Sequence, residues 1–253
     1  MKKKLMSSAL AALAGVGLMA GGAMALPWSE AEVGAKLQNI TLAAGYEWNG
    51  SDYWRLTDLT SGGNGDSWLT IKKEEAGYES SFGFYTVNDV TNPTLVTKYF
   101  EIFGKNEEAG VEKTVAFKET ASGWEVSLTG NGDWTQFDDT FGFYYDVYIG
   151  GTSDTTVDYT WHTDKQFNKN AAGVKVDDTI EHVVVAYKPT TGTKPGGSVH
   201  VFLDDQLYGG DRDWNDMTVV VTDVTPVPEP GVMLLLGTGL GAGLIGVNRR
   251  KKK

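Results

Sequence analysis

Hydrophobic positions in the body of this chain follow no long 3.6-residue period. Short runs rich in Val, Thr, Tyr, Phe and Trp are separated by clusters of Gly, Asn, Asp and Pro. That pattern predicts β-strands joined by tight turns. Strands are expected near Tyr53–Leu59, Trp68–Lys73, Ser80–Val87 and Val96–Phe103, then near Lys113–Lys118, Trp124–Leu128, Thr140–Ile149 and Thr156–Trp161. The last three fall near His182–Lys188, Ser198–Leu203 and Met217–Thr222. In Ser198–Leu203 the alternation is clean, with Val199, Val201 and Leu203 on one face and His200 and Phe202 on the other. Turn signals are Gly62-Gly63-Asn64-Gly65-Asp66, Asn131-Gly132-Asp133 and the stretch from Thr190 to Gly197. Many short strands at this spacing predict an all-β fold, an antiparallel β-sandwich or jelly-roll-like domain, over residues 26–222.

One short pattern occurs twice. Phe82-Gly83-Phe84-Tyr85 returns as Phe141-Gly142-Phe143-Tyr144. The flanking sequence does not repeat, which favours two similar strands of one sandwich, each with a glycine where backbone or rings pack closely, over a duplicated unit.

The two ends break the alternation. Lys2, Lys3 and Lys4 precede an apolar run that closes on Ala23-Met24-Ala25, the charged start, greasy middle and small-residue cleavage site of a signal peptide over residues 1–25. At the other end Gly231–Val247 carries no charge and is followed at once by basic residues within 248–253. Seventeen residues at ~1.5 Å each give a helix of about 25 Å, just short of a bilayer core. The cations after it belong on the cytoplasmic side. Residues 223–230 form a Pro-rich linker that contains Pro228, Glu229 and Pro230.

The Pro-Glu-Pro signature, membrane-length helix and Arg/Lys-rich end, in that order, resemble the PEP-CTERM sorting tail of Gram-negative bacteria. The resemblance implies recognition and cleavage by an exosortase-type membrane protease, after export by signal peptidase and the general secretion machinery. It further implies a cell-surface or extracellular destination in a host that makes exopolysaccharide.

Composition sharpens this. Residues 26–226 hold 14 basic and 32 acidic side chains, a net charge of −18. Such a body repels phosphate and argues against nucleic acid as a partner; it favours cations as ligands. There is no cysteine, which removes disulfides, thiolate metal sites and cysteine nucleophiles.

The densest candidate chemistry lies between the last two strands. Asp204-Asp205 follow one strand; Asp211-Arg212-Asp213-Trp214-Asn215-Asp216 precede the next. Oxygen ligands at alternate positions of a tight loop can converge on a hard cation such as calcium. Asp211, Asp213, Asn215 and Asp216 would supply them, with Asp204 and Asp205 completing the shell. The loop is not a helix-loop-helix calcium motif, because Asp216 stands where that motif needs Gly and no Glu closes it. Alternatively, Asp and Asn simply build the turn through bonds to backbone amides. Trp214 is expected to pack beneath the loop rather than to serve as a stacking platform. Residues 203–221 resemble the closing signature of a bacterial extracellular family, domain of unknown function 4114, whose members have no established activity; the match implies a β-rich exported domain.

No catalytic pattern accompanies it. His162, His182 and His200 sit in no zinc-protease motif, and no nucleophile elbow or phosphate loop is present. Pairs such as Asp138-Asp139 and Asp177-Asp178 are unremarkable in so acidic a body. The expectation is a non-enzymatic, calcium-stabilised exported protein with a structural or adhesive role in an exopolysaccharide or biofilm matrix. The alternatives are a carbohydrate-binding module and, behind it, a polysaccharide-acting hydrolase.

Overall fold

The computed structural model describes residues 37, 40–57, 64–74, 76–128, 132–151, 153, 155–176, 181–190, 196–205 and 213–227. The expected signal peptide, the Pro228–Pro230 motif, the 231–247 helix and the basic end lie outside the described residues. Among those that are described, no helix is long and apolar enough to cross a membrane.

The described chain is all-β. Its strands are β1 (Glu47–Asn49), β2 (Trp54–Leu56), β3 (Asn64–Glu74), β4 (Glu79–Val87), β5 (Val96–Phe103), β6 (Glu112–Thr120) and β7 (Gly123–Leu128). They continue with β8 (Thr135–Phe137), β9 (Thr140–Tyr148), β10 (Tyr159–His162), β11 (Lys169–Asn170), β12 (Val183–Pro189), β13 (Gly197–Leu203) and β14 (Met217–Pro226). A 3-10 turn at Lys165–Phe167 is capped by the Asp164 carboxylate. Each of the eleven predicted strands has a counterpart. The unforeseen ones, β1, β8 and β11, are too short to show a period. Boundaries shift by a few residues, and the two largest shifts have clear causes. Asn64, Gly65 and Asp66, read as a turn, begin β3, because they pair with Lys118, Phe117 and Ala116 of β6. β14 runs on through Pro226, into the stretch read as linker, because its end pairs with β2.

All strand pairs among the described residues are antiparallel, in the order β11-β10-β9-β2-β14-β3-β6-β7-β8. β4 and β5 extend from β9, and β12 and β13 lie between β1 and β14. Short β2 joins the two regions through Trp54, which faces Pro226 on one side and Phe141 on the other. The sheet curves back on itself, so both regions line one core. Phe82, Phe84, Phe141 and Phe143 from β4 and β9 meet Leu69, Phe117, Val199, Val201, Val219 and Val221 from the other strands. Phe84 stacks on Phe141 with centroids 4.2 Å apart and reaches Phe117 at 6.3 Å. Each of these rings is fully buried, and truncating one to Ala should cost about 3–5 kcal/mol.

The period of two in β13 is realised as read: Val199, Val201 and Leu203 enter that core. Phe202 faces the opposite side, where Leu37, Val184, Ala186 and Trp214 cover it. The segment that carries Ile40, Leu42, Tyr46 and Trp48 completes this second layer.

Candidate metal centre

The last rung of the β13–β14 hairpin is the pair Leu203 and Met217. The next residue outward on each strand is an aspartate, so Asp204 and Asp216 face one another across the mouth of the hairpin. The Asp216 amide donates to the Leu203 carbonyl at 3.2 Å, and the Asp205 amide donates to Asp216 Oδ2 at 2.6 Å. On the other flank, Val183 of β12 pairs with Leu203, and the Asp204 amide donates to the His182 carbonyl at 3.0 Å. His182 Nδ1 returns a bond to the Asp204 carbonyl at 3.2 Å. The turn before β4 closes over the third carboxylate, with the Tyr78 amide 3.1 Å from Asp205 Oδ2.

The result is a pocket of three carboxylates. Asp204, Asp205 and Asp216 each offer an oxygen, and these atoms all lie within 4.8 Å of one another. The three residues are 0 %, 1 % and 5 % exposed. Burial pushes the Asp216 carboxyl up to about 8, and the charges of Asp205, Asp204 and Asp213 add to the rise; the Asp205 amide bond opposes it. Three carboxylates withdrawn from water repel one another and each carries a desolvation cost. A hard cation removes both penalties, and oxygen-only donors suit calcium, magnesium or manganese. This triad can hold a metal ion.

Of the other residues named for the metal, Asp213 and Asn215 are described, and they show the bonding of the alternative reading, in which Asp and Asn build the turn. Asp213 and Asn215 bond one another: the Asn215 amide donates to Asp213 Oδ1 at 3.2 Å and its side-chain nitrogen to Oδ2 at 2.6 Å. Asp213 therefore builds the turn, while its charge still acts on Asp216. Asp211 lies outside the described residues. Trp214, between them, adopts φ 50° and packs against Leu37, Val184, Ala186 and Phe202, its indole N–H donating to the Glu181 carbonyl at 2.9 Å. It is buried against these side chains, as expected of an aromatic that packs rather than serves as a stacking platform. Sequence alone gave no sign of His182, which reaches the site through the β12–β13 register, or of the Tyr78 amide, which reaches it from the turn before β4. No protein-family model matches the chain, and no curated protein matches it.

Proposed function

We propose that this is an exported, calcium-stabilised β-sandwich of jelly-roll type, with a structural or adhesive role in an exopolysaccharide or biofilm matrix. The observation that carries the reading is the burial of Asp204, Asp205 and Asp216 with their oxygens converging. A cation stabilises such a set, and calcium, with six to eight oxygen ligands and flexible geometry, accepts carboxylates and nearby carbonyls together. A net charge of −18 over residues 26–226 keeps the body soluble and cation-seeking. The absence of cysteine makes metal binding and core packing the available staples.

Export and sorting rest on the two ends: a signal peptide over 1–25, then Pro228-Glu229-Pro230, an apolar helix over 231–247 and a basic end. The chain crosses the inner membrane, is held there by its C-terminal helix, and is cut by an exosortase-type protease. Two experiments test this. Calcium added to the purified full-length chain in mild detergent should raise its melting temperature, and Asp204→Asn should abolish the rise; no response to calcium refutes the metal role. Deleting the host's exosortase should leave the uncut chain in the inner membrane, and unchanged processing refutes the sorting.

A further inference from the structure

A second polar site lies on the outward face of β4, β5, β9, β10 and β11. Strand register builds it. Gly83 stands between Glu101 and Tyr144, and Asp146 stands between Ser81 and Thr160. Thr160 in turn faces Lys169. A hollow of about 350 Å³ opens there, lined by Tyr99, Tyr144, Asp146, Thr160, Lys169 and Asn170, among others. Its size is at the lower end of the range for small-molecule sites.

The lining is held in place by its own bonds. Thr160 Oγ1 donates to Asp146 Oδ1 at 2.6 Å, which fixes the plane of that carboxylate. Tyr99 Oη lies 2.9 Å from His162 Nε2, and Lys169 Nζ donates to Tyr99 Oη at 3.1 Å. Burial pulls His162 down to about 3, so its ring is neutral. The phenol oxygen accepts from Lys169, which lies 4.6 Å over the Tyr99 ring. Tyr99 meets Tyr144 edge to face at 5.0 Å; Tyr144 is 3 % exposed and Tyr99 39 %. Asn170 Oδ1 already accepts from the amides of Ala172 and Val174, which leaves its amide nitrogen as a donor.

We propose that this hollow binds a neutral sugar ring of a polysaccharide chain. The chemistry selects the class. Asp146 accepts hydrogen bonds; Lys169 and Asn170 donate them, and a ring of hydroxyls can satisfy both kinds of partner. Tyr99, with Val157 beside the hollow, offers apolar surface to the C–H face of such a ring. A uronate would meet the Asp146 carboxylate with Glu101 close enough to act on it. A phosphate would find one lysine against these same carboxylates, and a cation would compete with Lys169. A fully apolar ligand would leave the carboxylate and ammonium without compensation. That the ring belongs to a polysaccharide rests on the matrix role proposed above; the hollow itself lies apart from the aspartate triad and depends on neither metal nor export.

The test is a titration of the full-length chain in mild detergent with cellohexaose, maltohexaose, mannohexaose and xylohexaose, beside hexagalacturonate and a dipeptide. One neutral probe is expected to bind saturably. Asp146→Asn and Lys169→Met should each weaken it about tenfold or more, the loss of one charge-assisted hydrogen bond. Both variants should keep the calcium-dependent melting shift of the unaltered chain, which separates this site from the triad. Lys169 is a side chain at the rim, so Lys169→Met decides the matter even if Asp146→Asn folds poorly. Binding of none of the neutral probes, tighter binding of hexagalacturonate or the dipeptide, or unchanged affinity in Lys169→Met would overturn the proposal.

Discussion

The ring of Tyr144 lies across the α-carbon of Gly83. A β-carbon built on that glycine would stand 2.6 Å from Tyr144 Cε1 and would also strike the Phe100 carbonyl oxygen. The relationship is reciprocal, because a β-carbon on Gly142 would stand 2.6 Å from Tyr85 Oη. The two Phe-Gly-Phe-Tyr stretches are neighbours in the sheet, with Gly83 opposite Tyr144 and Tyr85 opposite Gly142. Each glycine makes room for the other stretch's tyrosine on the outer face, while the phenylalanines fill the core. Gly83→Ala should cost about 3 kcal/mol, since a backbone carbonyl cannot step aside, and Gly142→Ala about 1–2 kcal/mol, since a ring can tilt. Urea denaturation of the two variants checks both the size and the order.

The aspartate triad predicts a crossing of stabilities. At a calcium concentration about a hundredfold above Kd, binding adds ~2.7 kcal/mol. For a domain of this size that is roughly 5–10 °C in melting temperature. Asp216→Asn should lose most of that gain. In chelator at pH 9 the same variant should melt above the unaltered chain, because it removes one of three buried, mutually repelling charges. An amide oxygen can still accept the bond that the Asp205 amide gives to Asp216 Oδ2. Thermal melts with and without calcium measure both halves.

Much of this architecture was readable from alternation. Val199, Val201 and Leu203 face the core because a pleat has period two. The β-branched, aromatic runs gave the strands to within a few residues. What alternation could not give was register. The metal set was read as six residues of one segment, Asp204, Asp205, Asp211, Asp213, Asn215 and Asp216. The structure brings three of them, Asp204, Asp205 and Asp216, together because Leu203 pairs with Met217, a relation between strands that no local pattern encodes. The Asp146 hollow was invisible for the same reason: Tyr99, Asp146, His162 and Lys169 come from four different strands. β1, β8 and β11 were missed because two or three residues contain less than two periods.

Trp214 should tie the loop to the sheet. Its indole N–H bond to the Glu181 carbonyl and its contacts with Val184, Ala186 and Phe202 hold the residue two positions before Asp216. Trp214→Phe keeps most of the apolar contact and loses the bond, so it should cost about 1–2 kcal/mol and weaken calcium binding. Trp214→Gly removes the strain of φ 50° yet also the packing; it should be the more damaging of the two. Calcium titrations of both variants, followed by melting temperature, give the ranking.

Asp146 predicts a pH dependence of stability with a definite sign. Burial raises its carboxyl from 3.8 to about 6, against the pull of Thr160 and Lys169. The fold therefore binds this proton more tightly than the unfolded chain does. Its contribution is fully present below about pH 4 and is lost as pH rises to about 6; above that it is constant. At about 1.4 kcal/mol for each pH unit, the loss is at most about 3 kcal/mol. Asp146→Asn cannot ionise at this position, so its stability relative to the unaltered chain should rise by up to that amount between pH 4 and 6, and at pH 7 the variant should be the more stable. The triad also titrates, but it is common to both chains, so the comparison is made between the two at each pH. Urea denaturation at pH 4, 5, 6 and 7 then isolates Asp146, and parallel curves for the two chains would show that its carboxyl is not the group responsible.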